Sequence, residues 1–225
     1  MLDKLPLPDV ILRLCNSSCY LFSVDLAITD VVYHSFCEMM SASESDRMMR
    51  LVKSDHRRDF VASRGALRSC LAQYVDCDPK SLVFAYGIHG KPMLLDYPEL
   101  EFNLSHSQGR ALIGIARGMA IGVDLEQVRE MPTMLAIAKR FFMQSEYEAI
   151  ERVSEGLRSR RFFEYWTCKE AYLKATGVGL GRIGMLEIAI DKAAVRVRQK
   201  PCDKNFALAQ VELGAGFVGA IGLEI

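Results

Sequence analysis

The sequence predicts an α+β protein made of two related halves, with a cleft between them as the natural place for a ligand. Two observations lead there: strand-like and helix-like runs occur in both parts of the chain, and a faint repeat relates the parts at an offset of about 104 residues. Run 20–26 corresponds in placement to 120–126, Ser41–Glu44 to Ser145–Glu148, and Arg57-Arg58-Asp59-Phe60 to Arg160-Arg161-Phe162-Phe163. The common order of the three matches divides the chain into pseudo-symmetric halves, 1–118 and 119–225.

Each element has a local reason. After a lead-in punctuated by proline, Tyr20–Leu26 alternates as a strand does. Ser41-Ala-Ser-Glu44 has the form of a capping box, so a helix follows through Leu51. Arg57–Tyr74 reads as a longer helix with Phe60, Ala66, Leu67 and Leu71 on its apolar side and Asp78-Pro79 beyond its end. Residues 81–95 read as short strands around Gly87 and Gly90. Glu101–His106, Arg110–Ala116 and Ala120–Glu126 are separated by Gln108-Gly109 and Arg117-Gly118, the pattern of an antiparallel meander. A helix over 133–142 follows Pro132, and Ser145-Glu-Tyr-Glu148 offers a second capping box. Arg160–Thr176 is a long helix stopped by Gly177. Strands return at 186–190, 194–198, 206–212 and 217–224.

Composition narrows the class. The 225 residues can bury a substantial core. Lys plus Arg and Asp plus Glu both number 28, so no global field draws the chain to nucleic acid or membrane. The seven cysteines are scattered, without a CxxC pair, as suits reduced thiols in a cytosolic protein. Asp3, Lys4, Asp9 and Arg13 interrupt any apolar leader, and no run reaches the ~18 apolar residues of a membrane span. The expectation is a cytoplasmic monomer.

Three motifs carry chemistry. In Ala120-Ile-Gly-Val-Asp-Leu-Glu126, strand alternation turns Asp124 and Glu126 to one side, about 7 Å apart at Cα. Two carboxylates so placed suit Mg²⁺, or form only a wet acidic face. In Phe163–Lys174, Glu170 and Lys174 share a helix stripe with Phe163, Trp166 and Thr167. The pair is either a surface ion pair or, given its apolar neighbours, part of a cleft. In Phe102–Ser107, Ser105 and His106 offer a hydroxyl and an imidazole to phosphate oxygens, or stand in a surface turn. A Ser-His-Asp hydrolase triad is excluded: there is no G-x-S-x-G elbow, and adjacent strand side chains point to opposite faces. Lys91 in Gly90-Lys91-Pro92 and the arginines 47, 50, 57, 58, 64 and 68 are candidate local anion contacts or solvated side chains.

Taken in order, Gly90-Lys-Pro92, Phe102–Ser107, Ile121–Glu126, Lys139–Phe142 with Glu146, and Trp166–Lys174 followed by Ala175–Leu180 resemble the Sfp-type 4′-phosphopantetheinyl transferases. The likeness spans about residues 20–185. It departs at Met143, where the family commonly has a small polar residue; Ser145 is expected to cap the helix instead. The resemblance implies a pseudo-dimeric α+β fold with coenzyme A between the halves and Mg²⁺ on Asp124, Glu126 and Glu170. It implies Glu170 as general base and Lys174 as a second catalytic residue, with phosphate contacts from Arg47, Arg64, Lys91, Ser105, His106 and Lys174.

The implied reaction moves the phosphopantetheine arm of coenzyme A to a serine of a fatty-acid, polyketide or peptide-synthetase carrier protein, leaving 3′,5′-ADP. The alternatives are a Mg²⁺-dependent nucleotide pyrophosphohydrolase and a non-catalytic carrier-binding module of the same fold. Glu130–Met143, with Met131, Met134, Leu135 and Phe141 beside Lys139 and Arg140, is either a docking patch for an acidic carrier or core.

Overall fold

A computed structural model describes residues 10–14, 19–191, 194–214 and 216–225. Asp3, Lys4 and Asp9, invoked above, lie outside the described residues. The strands are β1 Val10–Leu14, β2 Cys19–Asp25, β3 Phe84–Tyr86, β4 Pro92–Leu94, β5 Leu100–Ser107, β6 Arg110–Arg117, β7 Ile121–Gln127, β8 Glu187–Ile190, β9 Val195–Gln199, β10 Phe206–Val211 and β11 Phe217–Glu224. The helices are α1 Asp30–Met39, α2 Ala42–Arg50, α3 Ser54–Val75, α4 Met134–Phe141, α5 Gln144–Glu151 and α6 Glu155–Thr176. One sheet has the order β1-β2-β6-β5 and the other β10-β11-β7, while β3–β4 and β8–β9 are hairpins.

The mixed helix and sheet content agrees with the α+β expectation, and alternation along the strands explains the layers. On β2 and β6, Phe22, Val24, Ala111, Ile113 and Ile115 pack with Ala62, Ala66, Leu67 and Leu71 of α3. Their opposite faces, with Leu21 and Leu112, meet Ile121, Val123, Leu125, Ile221 and Leu223 of the second sheet. The far side of that sheet is covered by α6, where Ala171 and Ala175 are buried. Gly122 permits this: a Cβ there would lie 2.1 Å from the Ala171 carbonyl oxygen.

The antiparallel meander stops after two strands. β5 and β6 pair across Gln108-Gly109, but β7 pairs with β11 in the second sheet. Both faces of β7 are buried, so it cannot serve as the third, half-wet strand of a meander. Polar side chains of β5 instead satisfy its other edge: Asn103 Oδ1 accepts from the Val123 N–H at 2.9 Å and Ser107 Oγ from the Gln127 N–H at 3.3 Å.

Helix signals were mostly local and legible. Ser41 Oγ accepts from the Glu44 N–H at 3.3 Å, and Glu44 Oε2 from the Ser41 N–H at 2.9 Å, so the first capping box forms. α6 ends where Gly177 takes φ +70°. The second box is displaced. α5 starts after Met143, whose N–H donates to Glu146 Oε2 at 2.8 Å, while Ser145 donates to Glu187 Oε1 at 2.6 Å and is no cap. The cause is Lys169, whose ammonium holds Glu146 at 2.6 Å with both side chains 0 % exposed. Glu44 is held in the same way by Arg68 at 2.6 Å and Arg64 at 2.8 Å. α1 has no counterpart in the sequence reading: Thr29 caps it, but Val31, Val32 and Tyr33 are weak helix formers.

Candidate active site

β7, α6 and β5 converge where the two sheets meet. Asp124 is 3 % exposed, so β7 presents no wet acidic face at that position. Its Oδ1 accepts from Ser105 Oγ at 2.8 Å and from Lys174 Nζ at 2.5 Å. Lys174 also pairs with Glu170 Oε2 at 3.2 Å and donates to Ser105 Oγ at 3.4 Å. The Glu170–Lys174 pair is therefore part of the junction rather than a solvated i,i+4 pair. Burial raises the Glu170 pKa, and Asp124 adds to the rise while Lys174 opposes it. For Lys174, burial acts downward, but Asp124 and Glu170 outweigh it and raise the pKa.

A divalent cation fits this donor set. The oxygens are hard ligands, and Asp124 Oδ2 is buried with no hydrogen-bond partner, a free lone-pair position of the kind a cation takes. Glu126 is turned aside, since its Oε2 accepts from Ser107 Oγ and from Arg129 Nη1, each at 3.0 Å. Among the described residues no three His, Cys, Asp or Glu side chains form a group that could hold a metal ion. Mg²⁺ does not need three, because it commonly keeps waters and takes substrate phosphate oxygens.

The anion candidates separate. Ser105 is buried against Asp124, whereas His106, on the opposite face of β5, is exposed on one side. Crowding by protein on the other side lowers the His106 pKa; Asp59 opposes this, and Lys174, Arg47 and His56 add to it. Arg47 is exposed, with its guanidinium 5.5 Å from the Phe60 ring centroid. His56 escaped notice in the sequence, because nothing in the first turn of α3 marks it.

Two candidates already have protein partners. Arg64 is 7 % exposed, paired with Glu44, and donates to Tyr86 Oη at 2.9 Å, so it belongs to the interior. Lys91 shares a cleft with Lys174 but is engaged: its Nζ donates to the Ile121 carbonyl at 3.1 Å and the Ala175 carbonyl at 3.4 Å, and pairs with Glu101 at 3.2 Å. That cleft, about 230 Å³, is lined by His89–Pro92, Asn103, Leu173, Lys174 and Gly177. Two larger hollows of about 400 and 390 Å³ run along β9 and β10 and include none of Asp124, Glu126 and Glu170.

Known proteins match both parts of the chain. Residues 120–217 fit the model of the 4′-phosphopantetheinyl transferase superfamily, and residues 29–117 that of the 4′-phosphopantetheinyl transferase N-terminal region. The chain is 40 % identical over 182 residues to the 4′-phosphopantetheinyl transferase HetI of a Nostoc species, covering 80 % of this chain and 77 % of that one. It is 30 % identical over 172 residues to 4′-phosphopantetheinyl transferase Sfp of Bacillus subtilis, covering 71 % and 73 %. A holo-(acyl-carrier-protein) synthase of Bacillus anthracis is 19 % identical over 47 % of this chain and 94 % of its own, with a TM-score of 0.41. The chain belongs to the 4′-phosphopantetheinyl transferase superfamily. It is accordingly a transferase, and the likeness of its motifs to the Sfp type holds.

Proposed function

We propose that this enzyme transfers the 4′-phosphopantetheine arm of coenzyme A to a serine of an acyl or peptidyl carrier protein and releases 3′,5′-ADP. The observation that carries the reading is buried Asp124 and Ser105 joined to partly buried Glu170 and Lys174, with one carboxylate oxygen of Asp124 left without a partner. Asp124, Glu170 and, after leaving Ser107 and Arg129, Glu126 are the residues to hold Mg²⁺. When bound, that ion supplies charge neutralisation for the pyrophosphate.

The chain's own residues do the rest. Glu170 takes the proton of the carrier serine as the serine oxygen attacks the β-phosphorus. The bond to the bridging oxygen of the pyrophosphate breaks, and 3′,5′-ADP leaves with the electron pair. Lys174 offsets the charge gathering on that leaving group, and Ser105, His106 and Arg47 bind phosphate oxygens. Arg64 has no part in this, and Lys91 lines the cleft without a free ammonium. The halves divide at 118/119, and the enzyme works as a cytoplasmic monomer. No described helix is long and apolar enough to cross a membrane.

Carrier docking falls to the C-terminal end of α4. Met134 and Phe142 are core, each 8 % exposed, but Phe141 is exposed next to Arg140, whose guanidinium lies 5.0 Å from its ring centroid, with Lys139 one residue further back. Mass spectrometry of apo carrier proteins incubated with coenzyme A, Mg²⁺ and the enzyme tests the assignment. A carrier gaining the phosphopantetheine mass supports it. Free 4′-phosphopantetheine with unmodified carriers would make the enzyme a pyrophosphohydrolase.

A further inference from the structure

An ammonium already stands between the two carboxylates of the active site. Lys174 Nζ lies 2.5 Å from Asp124 Oδ1, 3.2 Å from Glu170 Oε2 and 3.4 Å from Ser105 Oγ. Lysine has three N–H donors, and these three partners can take all of them. Two partly or fully buried carboxylates repel each other unless a cation lies close, and this side chain is the cation that meets the need in the ligand-free protein. The same ammonium cannot remain there and also serve the pyrophosphate. Asp124 Oδ2, buried and without a partner, leaves a lone-pair position that a lysine bound to Oδ1 does not fill.

We infer that Lys174 is a placeholder cation. In the free enzyme it supplies the positive charge between Asp124 and Glu170 that the divalent ion would otherwise supply, and it moves to the pyrophosphate only as metal and coenzyme A arrive together. The inference rests on the proposed metal role of Asp124 and Glu170. Metal alone must displace an ammonium that has no other partner, so it binds weakly. With coenzyme A present, the displaced lysine gains phosphate oxygens, and the two ligands favour each other reciprocally.

The test is Mn²⁺ binding to the full chain without coenzyme A, followed by the electron paramagnetic resonance of free Mn²⁺. Lys174→Met should bind Mn²⁺ at least about 5-fold more tightly than the native chain, the low end of usual coupling between sites. Lys174→Gln, which keeps a hydrogen-bond donor and loses the charge, should move the same way and serves if the Met variant fails to fold. Arg47→Met removes a nearby charge that touches neither carboxylate and should leave Mn²⁺ affinity unchanged. An equal gain from Arg47→Met would mean general electrostatics and overturn the placeholder. So would unchanged or weaker Mn²⁺ binding in the Lys174 variants while Asp124→Asn still weakens it. If Asp124→Asn had no effect on Mn²⁺ affinity, the metal assignment would fall and the placeholder with it.

Discussion

The two long helices, α3 and α6, have the same length of 22 residues and similar surroundings, yet only one carries a Glu–Lys pair that reaches Asp124. Each follows a short helix whose N3 glutamate is buried, Glu44 before α3 and Glu146 before α6. The fifteenth residue of each long helix grips that glutamate: Arg68 in α3 and Lys169 in α6. One position further on, the helices part. The sixteenth and twentieth residues are Ser69 and Gln73 in α3 but Glu170 and Lys174 in α6. Ser69 donates to the Gly65 carbonyl of its own helix, and Gln73 is exposed. A buried ion pair that fixes architecture is thus present twice, while the Glu170–Lys174 pair is present once.

Removing the shared feature should have the largest effect. Glu146→Ala leaves the Lys169 ammonium buried without a counter-charge, a loss of about 3–5 kcal/mol in unfolding free energy. Burial already acts to lower the Lys169 pKa, against the opposing pull of Glu146. Glu44→Ala should cost a comparable amount, since it strands Arg68 and Arg64. Urea unfolding of both variants checks this, and a destabilisation confined to one half would break the correspondence.

The next effect separates the helices. Glu170→Gln should fold normally, bind coenzyme A and lose at least ~10²-fold in kcat, as expected on loss of a general base. Ser69→Ala, at the corresponding place in α3, should keep near-native turnover. Near-normal kcat for Glu170→Gln at saturating Mg²⁺ would reduce the residue to an ion-pair partner of Lys174.

The smallest effects lie between the halves. Lys91→Ala should lower stability through loss of its carbonyl contacts and shift the KM of both substrates alike, whereas His106→Gln should raise the coenzyme A KM selectively. His106 also has a pH signature. Its folded pKa lies below the ordinary 6.5, so the folded state binds fewer protons than the unfolded chain in that window. The stability it contributes is present above about pH 6.5 and is lost as the pH falls toward the folded pKa. A bound phosphate favours the imidazolium, so coenzyme A binding near pH 6.5 should take up protons. Calorimetry in buffers of different ionisation enthalpy should detect the uptake in the native enzyme and not in His106→Gln.

What the sequence determined by itself was whatever short-range geometry decides. The Ser41–Glu44 capping box, the stop of α6 at Gly177, the turn at Gln108-Gly109, and the common side of Asp124 and Glu126 each follow from groups a few residues apart. The helix stripe joining Glu170 to Lys174 is of the same kind, and the ordered motifs were enough to indicate the family. Tertiary structure alone decided which partner each charged group received. Lys91 is spent on carbonyls 30 and 84 residues away, Arg64 on Glu44, and Glu146 on Lys169 as well as on the Met143 N–H. Asp124 received Ser105 and Lys174, while Glu126 received Ser107 and Arg129. No local periodicity encodes such choices, because burial makes the nearest opposite charge in space the winning partner, and nearness in space was set when β7 left its meander for the second sheet.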